Sequence, residues 1–158
     1  MAEFSHIDPD GNAVMVEISA KNETERIAVA KGSVFMEATT MQKILDGGFA
    51  KGDVLSIGQL AGIMGAKRTP ELIPLCHPLL LTSVKVELTC DLERNAVDIV
   101  GTCKLVGKTG VEMEALTSVS IAALAVYDMC KSVDKAMSIS DIRLVYKAGG
   151  KSGEYVGQ

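Results

Sequence analysis

Residues 81–106 read LTSVKVELTCDLERNAVDIVGTCKLV, and this stretch decides the fold. Two β-rich runs, residues 81–92 and 96–106, flank the turn Glu93-Arg94-Asn95, which is typical of an antiparallel hairpin. The next segment, about residues 110–137, keeps apolar side chains at helical spacing and contains no proline or interior glycine. The sequence therefore predicts a hairpin followed by one long helix.

The segments on either side supply the other elements. Upstream, a first core strand is expected at residues 26–36, with Gly32 as a possible bulge, and a short helix at residues 37–45 that ends at Gly47-Gly48. Asp53 is suited to cap a second helix that runs to about residue 67. A short strand at residues 14–18 and a final strand at residues 138–147 complete the pattern.

This order of elements predicts an α+β fold. Strand, helix, hairpin, long helix and strand form the β-α-β-β-α-β split unit of the ferredoxin-like fold, with an antiparallel sheet. We expect one domain over residues 1–158, with an N-terminal arm at residues 1–20, an extra helix, and a flexible glycine-rich tail at residues 149–158.

Composition excludes several classes of function. No run of about 18 apolar residues occurs and the N-terminus lacks a signal-peptide pattern, so we expect a cytoplasmic protein with no membrane partner. A net charge of −4 and the lack of tryptophan argue against nucleic-acid binding. The four cysteines form no CxxC pair, which favours reduced thiols and no metal site.

The long helix is apolar in nearly every direction, with Ile121 and Leu124 on one side and Val119 and Val126 on the other. One sheet covers only one side of a helix. Other helices of the same chain could bury the second side, or another subunit could. We favour a subunit, because only one other substantial helix is expected.

Two glycine-rich stretches resemble phosphate loops. Gly107-Lys108-Thr109 and Gly150-Lys151-Ser152 both lack the earlier glycine that a P-loop needs, since Thr102 and Val145 occupy those positions. Gly107 to Gly110 nevertheless opens the long helix, where free backbone N–H groups favour an anion. A phosphate contact and a plain turn both remain open here.

The segment Ile73-Pro74-Leu75-Cys76-His77-Pro78-Leu79 has two prolines that bracket His77. Fixed φ at both prolines would hold the histidine in place, as a binding site requires. The alternative is a core-lining turn in which His77 only satisfies a backbone group. Ligation of a metal by Cys76 and His77 alone is not expected.

Charged side chains supply the remaining candidates. Asp128 and Lys131 lie three residues apart on one helix face, where they could exchange a proton or form an ordinary surface ion pair. Glu112 and Glu114 are either substrate contacts or favourable charges in the first helical turn. The cations that could converge on a polyphosphate are dispersed over the chain: Lys51, Lys67, Arg68, Lys131, Lys147 and Lys151.

Five longer stretches make the chain resemble the molybdenum cofactor biosynthesis protein C family, the cyclic pyranopterin monophosphate synthases. They are KGDV at 51–54, AKRT at 66–69, LIPLCHPL at 72–79, GKTGVEMEALT at 107–117 and YDMCK at 127–131. The resemblance covers nearly the whole chain and implies a ferredoxin-like hexamer of three dimers with active sites where subunits meet.

The implied reaction converts 3′,8-cyclo-7,8-dihydroguanosine triphosphate, a cyclised GTP, into cyclic pyranopterin monophosphate and pyrophosphate. By the same resemblance, Asp128 is the active-site residue and Lys51 and Lys131 lie beside it, where Asp128 and Lys131 would move protons. Substrate contacts would come from two stretches, Leu75, Cys76 and His77 in one and Met113 and Glu114 in the other.

Lys67, Arg68 and His77 are expected to hold the triphosphate. No resident cofactor is implied, while Mg²⁺ accompanying the triphosphate stays open. Two other classes of protein also remain: a non-catalytic nucleotide sensor and a structural assembly subunit.

Overall fold

The computed structural model describes residues 5–49 and 53–158. Over these residues the chain forms one antiparallel five-stranded sheet with helices on one face. In chain order the elements are β1 (Thr24–Phe35), α1 (Ala38–Leu45), α2 (Val54–Lys67), α3 (Thr69–Leu72), β2 (Ser83–Asp91), β3 (Ala96–Gly107), α4 (Glu112–Cys130), β4 (Ser138–Ala148) and β5 (Tyr155–Val156).

The strand order is β2-β3-β1-β4-β5. β1 lies between β3 and β4 and is antiparallel to both, and β2 pairs with β3. The four long strands therefore have the arrangement of the ferredoxin-like split unit, which confirms the predicted α+β fold class.

The hairpin of β2 and β3 is confirmed. Its strands pair from Asp91 opposite Ala96 to Ser83 opposite Lys104, and Asn95 adopts φ of 50° in the turn. Asparagine tolerates this left-handed conformation better than most residues. The predicted first strand and helix are confirmed as β1 and α1, and Asp53 caps α2 through bonds from the Leu55 and Ser56 backbone N–H groups.

Two predicted elements differ from the structure. Residues 14–18 form no strand, and the nearest ladder is an isolated bridge between Ile7 and Ala13. The long helix ends at Cys130 instead of near residue 137. The Asp134 carboxylate explains the early end, because it is buried and accepts hydrogen bonds from the Glu37 backbone N–H and the Thr40 hydroxyl at the start of α1.

Part of the glycine-rich tail is ordered into the sheet. Tyr155 and Val156 pair with Lys147 and Tyr146, and the Gly157 N–H donates to the Val145 carbonyl. The sequence did not indicate this fifth strand, because two residues are too few for an alternating pattern.

The α4 helix packs against the sheet and against α2, which lies beside it on the same face of the sheet. On α2, glycines at positions 58, 62 and 65 face α4, so the two helix backbones approach closely. A Cβ atom at Gly62 would lie 2.9 Å from the Ser118 carbonyl oxygen. On the sheet side, a Cβ at Gly101 would lie 2.1 Å from Ser118 Oγ. α4 is therefore held at contact distance from both neighbours.

Packing within the chain explains much of the apolar character of α4. By length and composition α4 could cross a membrane, yet 56% of its apolar stretch is buried inside the protein. α2 covers part of the surface of α4 that does not face the sheet, as the first alternative expects. Burial of the remaining apolar surface by another subunit stays a prediction. What stays exposed is a smaller apolar surface, which we call the α2/α4 face: Ile57, Leu60, Met64 and Leu124.

Gly62→Ala should lower the free energy of unfolding by about 1–2 kcal/mol, even though alanine favours helix by about 1 kcal/mol over glycine. The added methyl group would overlap the backbone of α4. Gly48→Ala is the matched control, because its Cβ would meet only the Lys43 carbonyl oxygen at 3.5 Å. Chemical denaturation measures both changes, and equal stability of the two variants would contradict the packing described.

Candidate functional site

Two adjoining cavities open at the N-terminal end of α4. The larger, about 640 Å³, lies between the N-terminal arm and the loops at residues 107–110 and 148–152. The smaller, about 350 Å³, adjoins the segment that carries His77. The two share Lys21, Thr109, Gly110 and Glu112 as lining residues, so we treat them as one cleft.

The larger cavity concentrates positive charge in a chain whose net charge is −4. Five cationic residues line it: Lys21, Arg26, Lys108, Lys147 and Lys151. A concave surface lined by one sign of charge attracts ligands of the opposite sign. This part of the cleft is suited to an anion with several charges.

Arg26 links the two glycine-rich loops of the cleft. Its Nε donates to the Gly107 carbonyl at 3.4 Å, and its Nη1 donates to the Gly149 carbonyl at 3.2 Å. Lys108 donates from Nζ to the Ser19 carbonyl of the N-terminal arm. The cations are therefore positioned by backbone groups that also shape the walls.

Glu112 is the carboxylate that faces these cations. Its Oε1 lies 2.7 Å from Lys147 Nζ, and both side chains are partly buried. Glu112 belongs to the first turn of α4, where the helix dipole also favours negative charge. The predicted first-turn charge is therefore present, and a substrate contact by Glu112 stays a prediction.

Leu75, Cys76 and His77 line the smaller cavity, as do Met113 and Glu114. His77 Nε2 donates to the Val16 carbonyl of the N-terminal arm at 2.8 Å. His77 thus has the backbone partner that the alternative of a core-lining turn expects. That partner, Val16, itself lines the smaller cavity. Both stretches that the sequence singled out do meet here.

Glu114 is almost fully buried, with 2% of its surface exposed. Burial raises the pKa of its carboxyl group to about 7, with a smaller contribution from the charge of Glu112. Burial also raises the pKa of the nearby Cys76 thiol, and the Glu114 charge adds to this effect. A carboxyl group with a pKa near neutrality can give or take a proton at physiological pH.

Asp128 and Lys131 lie at the opposite end of α4. They form an ion pair in which both side chains are exposed, and the hydrogen bond to Asp128 raises the pKa of Lys131. Fourteen residues of helix separate Glu114 from Asp128, which corresponds to about 21 Å. One chain therefore does not bring this pair into the cleft.

Of the other predicted cations, Lys147 and Lys151 line the larger cavity, whereas Lys67 and Arg68 lie apart from the cleft. Lys67 ends α2, Arg68 follows it, and both are exposed and absent from the lining of the two cavities. Lys51 lies outside the described residues. α2 runs antiparallel to α4, because Gly58 packs on Val126 and Gly65 packs on Ile121. The start of α2 at Val54 therefore lies near the C-terminal end of α4.

The sequence did not indicate Lys21 or Arg26 as site residues, and it left Lys147 and Lys151 among the dispersed cations. Arg26 meets both glycine-rich stretches only because β1 pairs with β3 and β4, whereas Lys108 and Lys147 adjoin these stretches in the sequence. The signal in the sequence was the pair of glycine-rich stretches, one of which, Gly107 to Gly110, was left open as a phosphate contact. Among residues 5–49 and 53–158, no group of three or more histidine, cysteine or acidic side chains is placed to hold a metal.

The fold and the cleft together define a class: a ferredoxin-like α+β protein with a cationic cleft at a helix N-terminus. Comparison with known proteins narrows this class. The sequence model of the MoaC family matches residues 15–150 of this chain. A cyclic pyranopterin monophosphate synthase of Rhodospirillum rubrum is 64% identical over 152 residues, which is 96% of this chain and 92% of that protein.

Two more relatives carry the same name. The synthase of Heliobacterium modesticaldum is 56% identical, covering 99% of this chain and 98% of the relative. That of Roseiflexus sp. strain RS-1 is 54% identical and covers 99% of both. The chain belongs to the MoaC family, and the resemblance inferred from its motifs is confirmed.

The stability of the protein should fall as pH rises through the range in which Glu114 titrates. Its pKa is raised from 4.5 to about 7 on folding, so the folded state holds a proton that the unfolded state has released. The stabilising effect is complete below about pH 4.5 and is lost by about pH 7, a change that should approach about 3 kcal/mol.

Glu114→Gln, which cannot ionise, should remove this dependence. Unfolding free energies of both proteins at pH 5 and pH 8 measure the difference. If the two proteins lose the same stability between these pH values, Glu114 does not titrate as described.

Proposed function

We propose that this protein is a cyclic pyranopterin monophosphate synthase of molybdenum cofactor biosynthesis. Its substrate would be the cyclised GTP, 3′,8-cyclo-7,8-dihydroguanosine triphosphate, and its products cyclic pyranopterin monophosphate and pyrophosphate. The relatives that carry this name match the chain over nearly its full length. The observation that supports the substrate class is the cationic cavity next to the smaller cavity lined by His77 and Glu114.

The triphosphate would occupy the larger cavity, held by Arg26, Lys108 and Lys147. A substrate hydroxyl would then attack the first phosphorus, form the cyclic phosphate ester and expel pyrophosphate. Cations around the departing group stabilise the charge that develops on it. Lys67 and Arg68 would reach the substrate only from another subunit, since neither lines the cleft of its own chain.

The purine-derived ring would lie in the smaller cavity, against the Cys76 and His77 backbone segment and beside Met113. Glu114 contributes a carboxyl group whose pKa of about 7 allows it either to donate or to accept a hydrogen bond to the ring. In this placement the triphosphate of the substrate lies in the larger cavity and its ring lies in the adjoining smaller cavity.

The rearrangement of the ring requires proton transfers, which we assign to Asp128, Lys131 and Lys51. Since about 21 Å of helix separates Asp128 from Glu114, the Asp128–Lys131 pair would come from a second subunit. We therefore propose a shared site in a hexamer of three dimers, in which one subunit supplies the cleft and its neighbour the Asp128–Lys131 pair. The exposed apolar side chains of the α2/α4 face support association of copies.

The reaction itself is tested by incubating the purified protein with the cyclised nucleotide. Mass analysis should detect the pterin product and one pyrophosphate per substrate consumed. Binding with an intact nucleotide would instead identify a sensor, and the absence of binding would identify an assembly subunit.

Mixing two defective variants tests the shared site. His77→Ala damages the cleft, and Asp128→Asn removes the active-site carboxylate, so each alone should be inactive at low substrate concentration. In a random mixture, about a quarter of the sites would combine an intact cleft with an intact pair, because each half is intact with probability one half. Activity should return to about that fraction of the unmodified protein's activity.

The matched control mixes Asp128→Asn with Lys131→Ala. Both changes lie in the same half of the site, so no combination of these chains restores it. Mixed oligomers of His77→Ala and Asp128→Asn that stay inactive would contradict a site shared in this way.

A further inference from the structure

The Glu112 carboxylate lies where the cleft would hold an anion. It bonds Lys147 at 2.7 Å inside the larger cavity, and about 28% of each side chain is exposed. Glu112 also lines the smaller cavity, at the junction of the two. Any phosphate group that binds Lys147 must therefore share this ammonium with Glu112 or displace it.

Gly110 makes the position of Glu112 possible. A Cβ atom at Gly110 would lie 1.9 Å from Glu112 Oε2, so any larger residue would push the carboxylate away. The Glu112 carboxylate therefore lies close to Gly110, just before the start of α4. The local sequence thus provides space for a carboxylate in the middle of a cationic cavity.

We propose that Glu112 is a built-in competitor of the substrate's phosphate groups for Lys147. This inference rests on the proposed function, because it takes the larger cavity as the polyphosphate site. A phosphate that replaces Glu112 exchanges one ion pair for another, so the net gain from Lys147 is smaller than it would be with a free ammonium.

Competition between Glu112 and phosphate for Lys147 would speed the release of the pyrophosphate product. Five cations around one small anion would bind the product tightly and slow its departure. A carboxylate that returns to Lys147 assists release, and in the empty cleft it keeps the Lys147 side chain in place. Glu112 would therefore set the balance between substrate binding and product release.

The test measures binding of inorganic pyrophosphate and inorganic triphosphate by calorimetry at fixed ionic strength. Glu112→Gln keeps the size of the side chain but removes its charge, and it should bind both probes about fivefold more tightly, as expected for the loss of a partly buried ion pair. Inhibition of turnover by pyrophosphate should strengthen by a similar factor.

Glu93→Gln is the matched control, because it removes the same charge from the turn between β2 and β3, at the opposite end of β3 from Gly107. It should leave both affinities unchanged. Lys147→Met should weaken binding, and in that background Glu112→Gln should give a much smaller gain, because no ammonium remains to be released.

The outcomes separate the two proposals. If Lys147→Met leaves the affinity for both probes unchanged, the larger cavity is not the phosphate site and the proposed function loses its phosphate assignment. If Lys147→Met weakens binding but Glu112→Gln does not strengthen it, competition by Glu112 is wrong while the phosphate site stands. An equal gain in both backgrounds would show that Glu112 acts on the anion by charge alone, which also overturns the competition for Lys147.

Discussion

The close packing of α4 against both the sheet and α2 is the contact on which the rest of the structure depends. Small side chains allow it, since Gly62 and Gly101 both lie against Ser118 of α4. A helix held on two sides at contact distance cannot shift or tilt without overlap. Its two ends are therefore fixed relative to the sheet, and the groups that we assign to function stand at these ends.

The groups that we assign to the proposed function lie at two separate places. At the start of α4 the glycine loops gather cations, and the buried Glu114 has a pKa near neutrality. At its end lies the exposed pair of Asp128 and Lys131. One chain holds the two groups too far apart to touch one small substrate, so the geometry of the monomer itself requires a second subunit if both act in one reaction.

The fold was largely predictable, because the hairpin and the helices carry strong local signals such as the turn at Asn95 and the cap at Asp53. The early end of α4 was not, since it accompanies contacts of Asp134 with Glu37 and Thr40, which lie far away in sequence. The site was predictable only in part. His77 and Glu114 stand in distinctive stretches, whereas Arg26 sits in an ordinary alternating strand and joins the cleft only through contacts with Gly107 and Gly149.

The central claim is that one subunit supplies the phosphate cleft and another the proton-transfer pair. A crystal structure of the Asp128→Asn variant with the cyclised nucleotide bound tests it most directly. We expect triphosphate on Arg26, Lys108 and Lys147 of one chain, with the ring facing residue 128 of a neighbouring chain. A nucleotide bound entirely by residues of one chain, or a triphosphate bound outside the larger cavity, would contradict it.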